Sequence, residues 1–467
     1  MTARASASSR WAISRVQPRS RRRESGLLVI VSLVLVVGSV SLGMTQRQLA
    51  GQALSWLPAD AGQLAIYLGA LLIAHLALIL AGRRSDQVLV PTVGLLGGIS
   101  LLLMERLPQS LVTQSLAGRN FGLASIQLGW LLLALAVITI LAISVRSDAW
   151  LRRYKYTWAA AGIGLLLLTF LLGSEVNGAL LTIQIGPFSG QPTELIKVVL
   201  VIFLAGYLSE FRPLLIDANM RVGPLNLPPL PYLLPMLAMW AVALGIVVIQ
   251  RDLGAALLFF AVFLALVYIA TARASYVVIG LILFVAGSFL AYQLFPTVRD
   301  RVDIWINPFL DASGKGYQVV QSLYAFARGG ILGTGLGAGL PLIGGRLPIP
   351  AIHTDFPLAA LGEEMGLIGV IAILGLYLVL IERGLRIAAA AADDFRSLLA
   401  AGLTLVVGIQ AFIIAGGNLK LIPLTGVTLP FISYGGSSLL ANGVAIGLLL
   451  ALSDRGVEPP PLARQSR

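Results

Sequence analysis

Between Phe295 and Phe356 the chain gathers side chains that could do chemistry. The carboxylates Asp303, Asp311 and Asp355 stand with Arg301, Lys315, Gln321, Arg328 and His353 among aromatic residues and many glycines. A carboxylate can accept or give a proton, and Lys or Arg can hold an anion, Arg through two parallel hydrogen bonds. A plain connector between two helices needs only a few residues. A long stretch that is neither low-complexity nor simply polar reads as a site or a lid.

The elements that must position these residues are membrane helices. The chain has 467 residues, 57% of them hydrophobic and only 12% charged, with a mean hydropathy of +0.89. A soluble protein carries roughly a quarter charged residues. Repeated apolar runs near 20 residues make this an all-α, polytopic transmembrane helical bundle. Twelve spans are expected, near 26–44, 61–81, 88–104, 122–145, 157–174, 194–210, 232–249, 254–272, 275–295, 357–381, 398–417 and 430–452. The stretch 296–356 is then the large loop between spans 9 and 10. The Arg-rich start leads into an uncleaved first span. The tails, 1–25 and 456–467, have the composition of disordered segments.

Charge sets the orientation. With the N-terminus inside, 22 of the 33 Lys and Arg residues fall inside, 10 outside, and Lys197 within a span. Cytoplasmic loops collect Lys and Arg, so both termini are expected in the cytoplasm and the 296–356 loop outside, in a plasma membrane. The same rule accounts for the net charge of +12 without nucleic acid as a partner. Cysteine is absent, which excludes disulfides, thiol chemistry and Cys-ligated metals.

Four motif groups, in order, carry a resemblance. The first is Gln191-Pro192-Thr193-Glu194-Leu195-Ile196-Lys197, and the second Gln250-Arg251-Asp252-Leu253-Gly254. The third runs from Asn307-Pro308 through Asp311, Gly316-Tyr317-Gln318 and Gln321-Ser322 to His353-Thr354-Asp355-Phe356 and Gly362-Glu363-Glu364-Met365-Gly366. The fourth is Pro423-Leu424-Thr425-Gly426, then Leu429-Pro430-Phe431-Ile432-Ser433-Tyr434-Gly435-Gly436-Ser437-Ser438. Together they resemble the SEDS family (shape, elongation, division and sporulation; RodA- and FtsW-like) over about residues 180–450. Thr193 stands where the family has Ser, and Arg251 where it has Pro. The family usually has three spans before the first motif and five are counted here, as in a longer RodA-like variant. The chain then divides into a tail (1–25), N-terminal helices (26–174), a SEDS core (175–455) and a second tail (456–467).

The resemblance implies a peptidoglycan glycosyltransferase. Its substrate would be lipid II, a disaccharide-peptide on undecaprenyl pyrophosphate, and its partner a class B penicillin-binding protein, a transpeptidase. The family's key outer-loop Asp falls on Asp311. The chemistry agrees: glycosyl transfer from a lipid pyrophosphate needs a base for the acceptor hydroxyl and positive charge near the departing pyrophosphate. Without the resemblance, Asp311 reads as a solvated loop carboxylate. Arg301, Lys315, Arg328 and, from another outer loop, Lys420 are candidates for the pyrophosphate, with Gln321 a further substrate contact. For each, ordinary loop solvation is the competing reading.

The remaining polar residues read as cavity-lining or structural. Glu194 and Lys197, three apart on one helix, can neutralise each other at membrane depth. Asp252 suits a helix N-cap. His353, with only His75 elsewhere, suits a hydrogen-bonded anchor for the loop rather than a metal ligand, and Asp355 stands beside it. No metal ligand set is expected, and a divalent cation is left open. Glu363 and Glu364 point about 100° apart on a helix, so at most one faces a central cavity. Ser437 opens the last span among small residues that permit close packing. Gly333, Gly335, Gly337 and Gly339 lack the Lys-Ser/Thr ending of a nucleotide loop and read as tight turns.

Two other functions stay open on these observations: a lipid II flippase, and a membrane scaffold that activates a transpeptidase. An outer-loop carboxylate favours the enzyme, since a flippase would place its charges near the bilayer midplane.

Overall fold

The computed structural model describes residues 20–454, apart from 117–118, 177–178, 186–187, 217–219, 223–224, 228–236, 239–240, 242–243, 246–247, 249–251 and 340–346. The expected tail 456–467, most of 1–25 and two thirds of the expected span 232–249 lie outside the described residues.

The described chain is almost entirely helical. Helices α1 (Arg22–Leu49), α2 (Ala61–Leu80), α3 (Leu89–Arg106), α4 (Leu123–Ser144) and α5 (Lys155–Leu172) come first. After them come α6 (Pro192–Ile216), α7 (Leu253–Thr271) and α8 (Ala274–Leu294). The 296–356 stretch is itself largely helical, with α9 (Pro296–Ile306), a short 3-10 turn at Pro308–Asp311 and α10 (Tyr317–Gly329). The chain ends in α11 (Pro357–Ala389), α12 (Asp394–Asn418) and α13 (Gly436–Leu452). Ten of these helices are long and apolar enough to cross a membrane, and α13 is apolar but only 17 residues long. In a bilayer the helix satisfies every backbone group internally, which is why these apolar runs fold this way. Short antiparallel strands occupy three of the connections, at 114–121, 174–190 and 220–227.

Acidic caps set several helix starts. Asp60, Asp252 and Asp393 each accept the backbone N–H three residues on, at 3.0 Å. Helix α12 is the hub, packed on α6, α7, α11 and α13, with most of its length buried. Helix α8 lies at the periphery with almost nothing buried. Glycines let α3 take close neighbours: a side chain at Gly98 would strike Leu35 of α1, and one at Gly94 would strike Leu71 of α2. At the start of α1, the buried guanidinium of Arg21 donates to the main-chain carbonyls of Arg83, Ser85 and Asp86 and pairs with Glu24. Glu24 also holds His75 of α2, at 2.7 Å.

Alternate connections meet at opposite ends of the bundle. At one end Arg83 pairs with Asp454 (2.8 Å), Arg383 with Asp86 (2.6 Å) and Arg396 with Asp148 (2.6 Å). At the other end lie the first motif, Asp252, the 296–356 stretch and the irregular run 419–435.

Helix α11 is broken at Gly366, where φ is +65°. The turn after α10 fills the break. Leu367 donates to the Gly330 carbonyl at 2.9 Å, while Thr334 and Gly335 donate to the carbonyls of Glu363 and Glu364 at 3.0 Å. A Cβ on Gly333 or Gly366 would drive into the other strand of backbone. Here the glycine run makes the tight turns and close backbone approach that its spacing suggests.

Candidate functional site

The site is built where α9, α10, α12 and the 419–435 run converge. Amphipathic α10 buries Val319, Val320, Ser322 and Ala325 against the bundle and leaves its other face to the outside. Ser322 Oγ donates to the Asn418 carbonyl at 3.2 Å, and Asn418 Nδ2 to the Asp355 carbonyl at 2.7 Å, so α10, α12 and the segment before α11 are stitched together. Trp305 Nε1 donates to the Lys420 carbonyl at 3.2 Å, which docks α9 on the same wall.

These elements enclose a cavity of about 210 Å³ lined by Arg301, Trp305, Lys315, Gln318, Asp355 and Lys420, with apolar residues behind. Arg301 reaches the cavity from α9 and donates to the Thr425 carbonyl at 3.1 Å. Burial weakens its hold on the proton, while Asp252 and Asp355 strengthen it. Burial raises Asp355 above the ordinary carboxylate range, against the opposing pull of the Thr354 hydroxyl and Arg301. Asp252 is raised too, mainly by burial, with the Ala255 amide opposing. Three basic residues and one acid line the cavity, which gives its lining an excess of positive charge.

Asp311 does not line the cavity but is bonded to a residue that does. It is exposed, on the 3-10 turn, and its Oδ2 accepts the backbone N–H of Lys315 at 2.9 Å. Its carbonyl accepts from Gly316 at 3.0 Å. The Asn307 side chain accepts the Phe309 amide at 3.2 Å and starts the turn. One tight turn therefore holds a carboxylate beside Lys315, which lines the cavity and whose ammonium pairs with Asp300 at 2.7 Å.

Other residues singled out in the sequence fall elsewhere. Arg328 is not at the cavity; it donates to Glu363 at 3.0 Å. Gln321 is half-buried on α10 and does not line the cavity. Glu363 and Glu364 are both buried, the first against Arg328 and the second against Arg106, and neither lines this cavity. His353 does tie its segment down, but through its carbonyl, which accepts the Tyr434 amide at 2.8 Å. Its ring packs on Tyr434, and Nδ1 has no hydrogen-bond partner among the described residues. The same burial lowers the basicity of the ring. Among the described residues no three His, Asp or Glu side chains are gathered in a way that could hold a metal ion.

Beneath the cavity lies a polar network that local spacing does not reveal. Lys197 donates to Glu194 at 2.6 Å, to Asn442 at 3.2 Å, and to Gln410. Gln410 donates to the Thr428 carbonyl at 2.9 Å, and the Thr428 and Ser438 hydroxyls are 2.6 Å apart. Ser437 Oγ accepts the Gln191 amide at 2.9 Å. The first and fourth motifs thus meet side by side, although 246 residues separate Gln191 from Ser437.

Comparison with known proteins identifies the family. The profile of a family described as cell cycle proteins (FtsW, RodA, SpoVE) matches residues 86–456. Peptidoglycan glycosyltransferase RodA of Mycobacterium tuberculosis is 44% identical over 389 residues, which is 83% of this chain and 81% of that protein. A probable peptidoglycan glycosyltransferase FtsW of Geobacter metallireducens is 36% identical over 318 residues, 68% of this chain and 81% of its own. A chain from a structure on coordination of polymerization and crosslinking by a peptidoglycan synthase complex superposes with a TM-score of 0.61. It is 28% identical and covers 79% of this chain and 98% of its own. Thermus thermophilus RodA shares the fold at a TM-score of 0.53 and 24% identity, over 79% of this chain and 97% of its own. The match reaches well before residue 180, to the start of α3, so three spans (α3, α4, α5) precede the first motif within it and the additional pair is α1 and α2. The chain is a polytopic helical membrane protein, and from residue 86 to 456 it belongs to the FtsW/RodA/SpoVE family whose motifs it carries.

Proposed function

We propose that this chain is a peptidoglycan glycosyltransferase that polymerises glycan from lipid II on the outer face of the plasma membrane. The observation that carries this reading is the Asp311–Lys315 turn: it ties an exposed carboxylate to the backbone of Lys315, one of three basic residues, with Arg301 and Lys420, that line the cavity. Asp311 takes the proton from the acceptor sugar hydroxyl as that oxygen bonds to the donor's anomeric carbon. The bond from that carbon to the undecaprenyl pyrophosphate breaks, and the cavity receives the negative charge that develops there. The names of the relatives support the activity, and the higher identity to RodA supports a rod-type role. Both termini then lie in the cytoplasm, and a class B penicillin-binding protein is the partner that crosslinks the product. Lys197, Glu194, Gln410 and Asn442 of the spans bond to one another rather than line a path, which favours polymerase over flippase.

The test is lipid II polymerisation by Asp311→Asn at matched protein and partner levels. Loss of a general base costs ~10²–10⁴-fold, so glycan synthesis should fall by about that factor while folding and partner binding persist. Asp303→Asn, in the same segment with its carboxylate on Tyr292 at 3.0 Å, should keep most activity. Near-normal chains from Asp311→Asn would overturn the assignment.

A further inference from the structure

At the end of the bundle opposite the cavity lies a second concavity, of about 480 Å³. Its polar wall holds four arginines from three segments: Arg23 at the start of α1, Arg84 between α2 and α3, and Arg383 and Arg386 near the end of α11. Its one acidic lining residue, Asp86, is already engaged. One Asp86 oxygen takes Arg383 at 3.0 and 2.6 Å, and the other caps α3 by accepting the amides of Val88 (2.8 Å) and Leu89 (3.2 Å). Arg386 pairs with Glu382. The side chains of Arg23 and Arg84 have no partner among the described residues. With Arg383 and Arg386 each paired to a carboxylate, Arg23 and Arg84 leave two positive charges uncompensated.

The rest of the lining says which anion fits. Val88, Ile387, Ala390 and Leu452 give the concavity an apolar wall. The starts of α1 and α3 and the ends of α11 and α13 converge on it, so it sits at the level where membrane-crossing helices leave the hydrocarbon. Basic pockets between helices at that depth recognise lipid head groups. We infer that this pocket binds the phosphodiester of an anionic phospholipid, with Arg23 and Arg84 on the phosphate and the apolar wall against the glycerol and upper acyl chains. A soluble phosphate would use the arginines and leave that wall unused. The site joins the additional helix α1 to the family core, and it makes no use of the outer cavity.

The experiment uses the full chain in nanodiscs and in detergent. Native mass spectrometry counts phosphatidylglycerol and phosphatidylcholine retained by the wild type, by Arg23→Gln/Arg84→Gln, and by Arg152→Gln/Arg153→Gln. The last pair loses the same charge from exposed arginines away from the pocket. The wild type should retain phosphatidylglycerol over phosphatidylcholine, and the Arg152/Arg153 variant should match it. The Arg23/Arg84 variant should bind phosphatidylglycerol roughly 30-fold more weakly. Single Arg84→Gln, at an exposed side chain, reads the same effect at smaller size if the double variant folds poorly. No preference for phosphatidylglycerol in the wild type, or an equal loss in the Arg152/Arg153 variant, would overturn the site. Displacement of the lipid by inorganic phosphate at low millimolar concentration would overturn the lipid assignment in favour of a soluble anion.

Discussion

Lys197 and Glu194 are joined at 2.6 Å, one turn apart on α6, with both side chains nearly out of solvent. A buried pair of this kind costs more to break than to delete, because a lone charge is left without solvation. Glu194→Gln should destabilise the folded protein by ~3 kcal/mol. The double change Glu194→Gln, Lys197→Met should lose less. Folded yield and melting temperature in one detergent measure both, and a double variant worse than the single would refute the pairing.

The cavity separates the basic residues into two kinds. Lys420→Gln removes a cavity cation and should lower lipid II polymerisation about tenfold, with little change in melting temperature. Arg328→Gln removes a partner of buried Glu363 and should lower the melting temperature instead, with activity per folded molecule largely kept. If Arg328→Gln proves the more damaging to specific activity, the cavity is not the anion receptor.

Asp355 gives a pH signature. Burial raises its folded pKa above the unfolded value, so the folded state holds the proton more tightly. Its contribution to stability is full below about pH 3.9 and is lost as pH rises through the folded pKa. Asp355→Asn cannot titrate. Its melting temperature relative to wild type should therefore climb between pH 4 and pH 8, and a flat or falling difference would contradict the burial argument.

Orientation is open to single-cysteine labelling, since the chain has no cysteine of its own. Gly314 is a poor site, because a Cβ there would lie 2.4 Å from both Asp311 carboxylate oxygens. Ser313 is exposed and adjacent. Ser313→Cys should react with an impermeant maleimide on intact cells, and reaction only after lysis would reverse the topology.

Most spans were legible because a bilayer demands long apolar runs, and Asp252 marks a helix start by its chemistry, whereas the matching caps at Asp60 and Asp393 were not singled out. The last boundary was not legible. The run expected to begin at residue 430 turns helical only at Gly436, because Phe431 at φ +63° and the segment around it are apolar yet irregular. Helix α10 was hidden inside a stretch read as loop, although its buried Val319, Ser322, Ala325 and Gly329 recur at helical spacing. The meeting of Arg301, Lys315 and Lys420 could not be read from spacing, since Lys420 stands on a different connection. Neither could the Gln410 and Asn442 contacts of Lys197, which span more than 200 residues.

Arg21 grips the carbonyls of residues 83, 85 and 86, at the point where the family-matched region begins. Carbonyls are the same whatever side chains flank them. These three bonds would survive a change of side chain on the core side, whereas those through Ser85 Oγ and Gln87 Oε1 would not. Such a fastening leaves residues 83 and 86 free to change as far as the grip on α1 is concerned, and makes Ser85 and Gln87 the positions where a substitution would thin it.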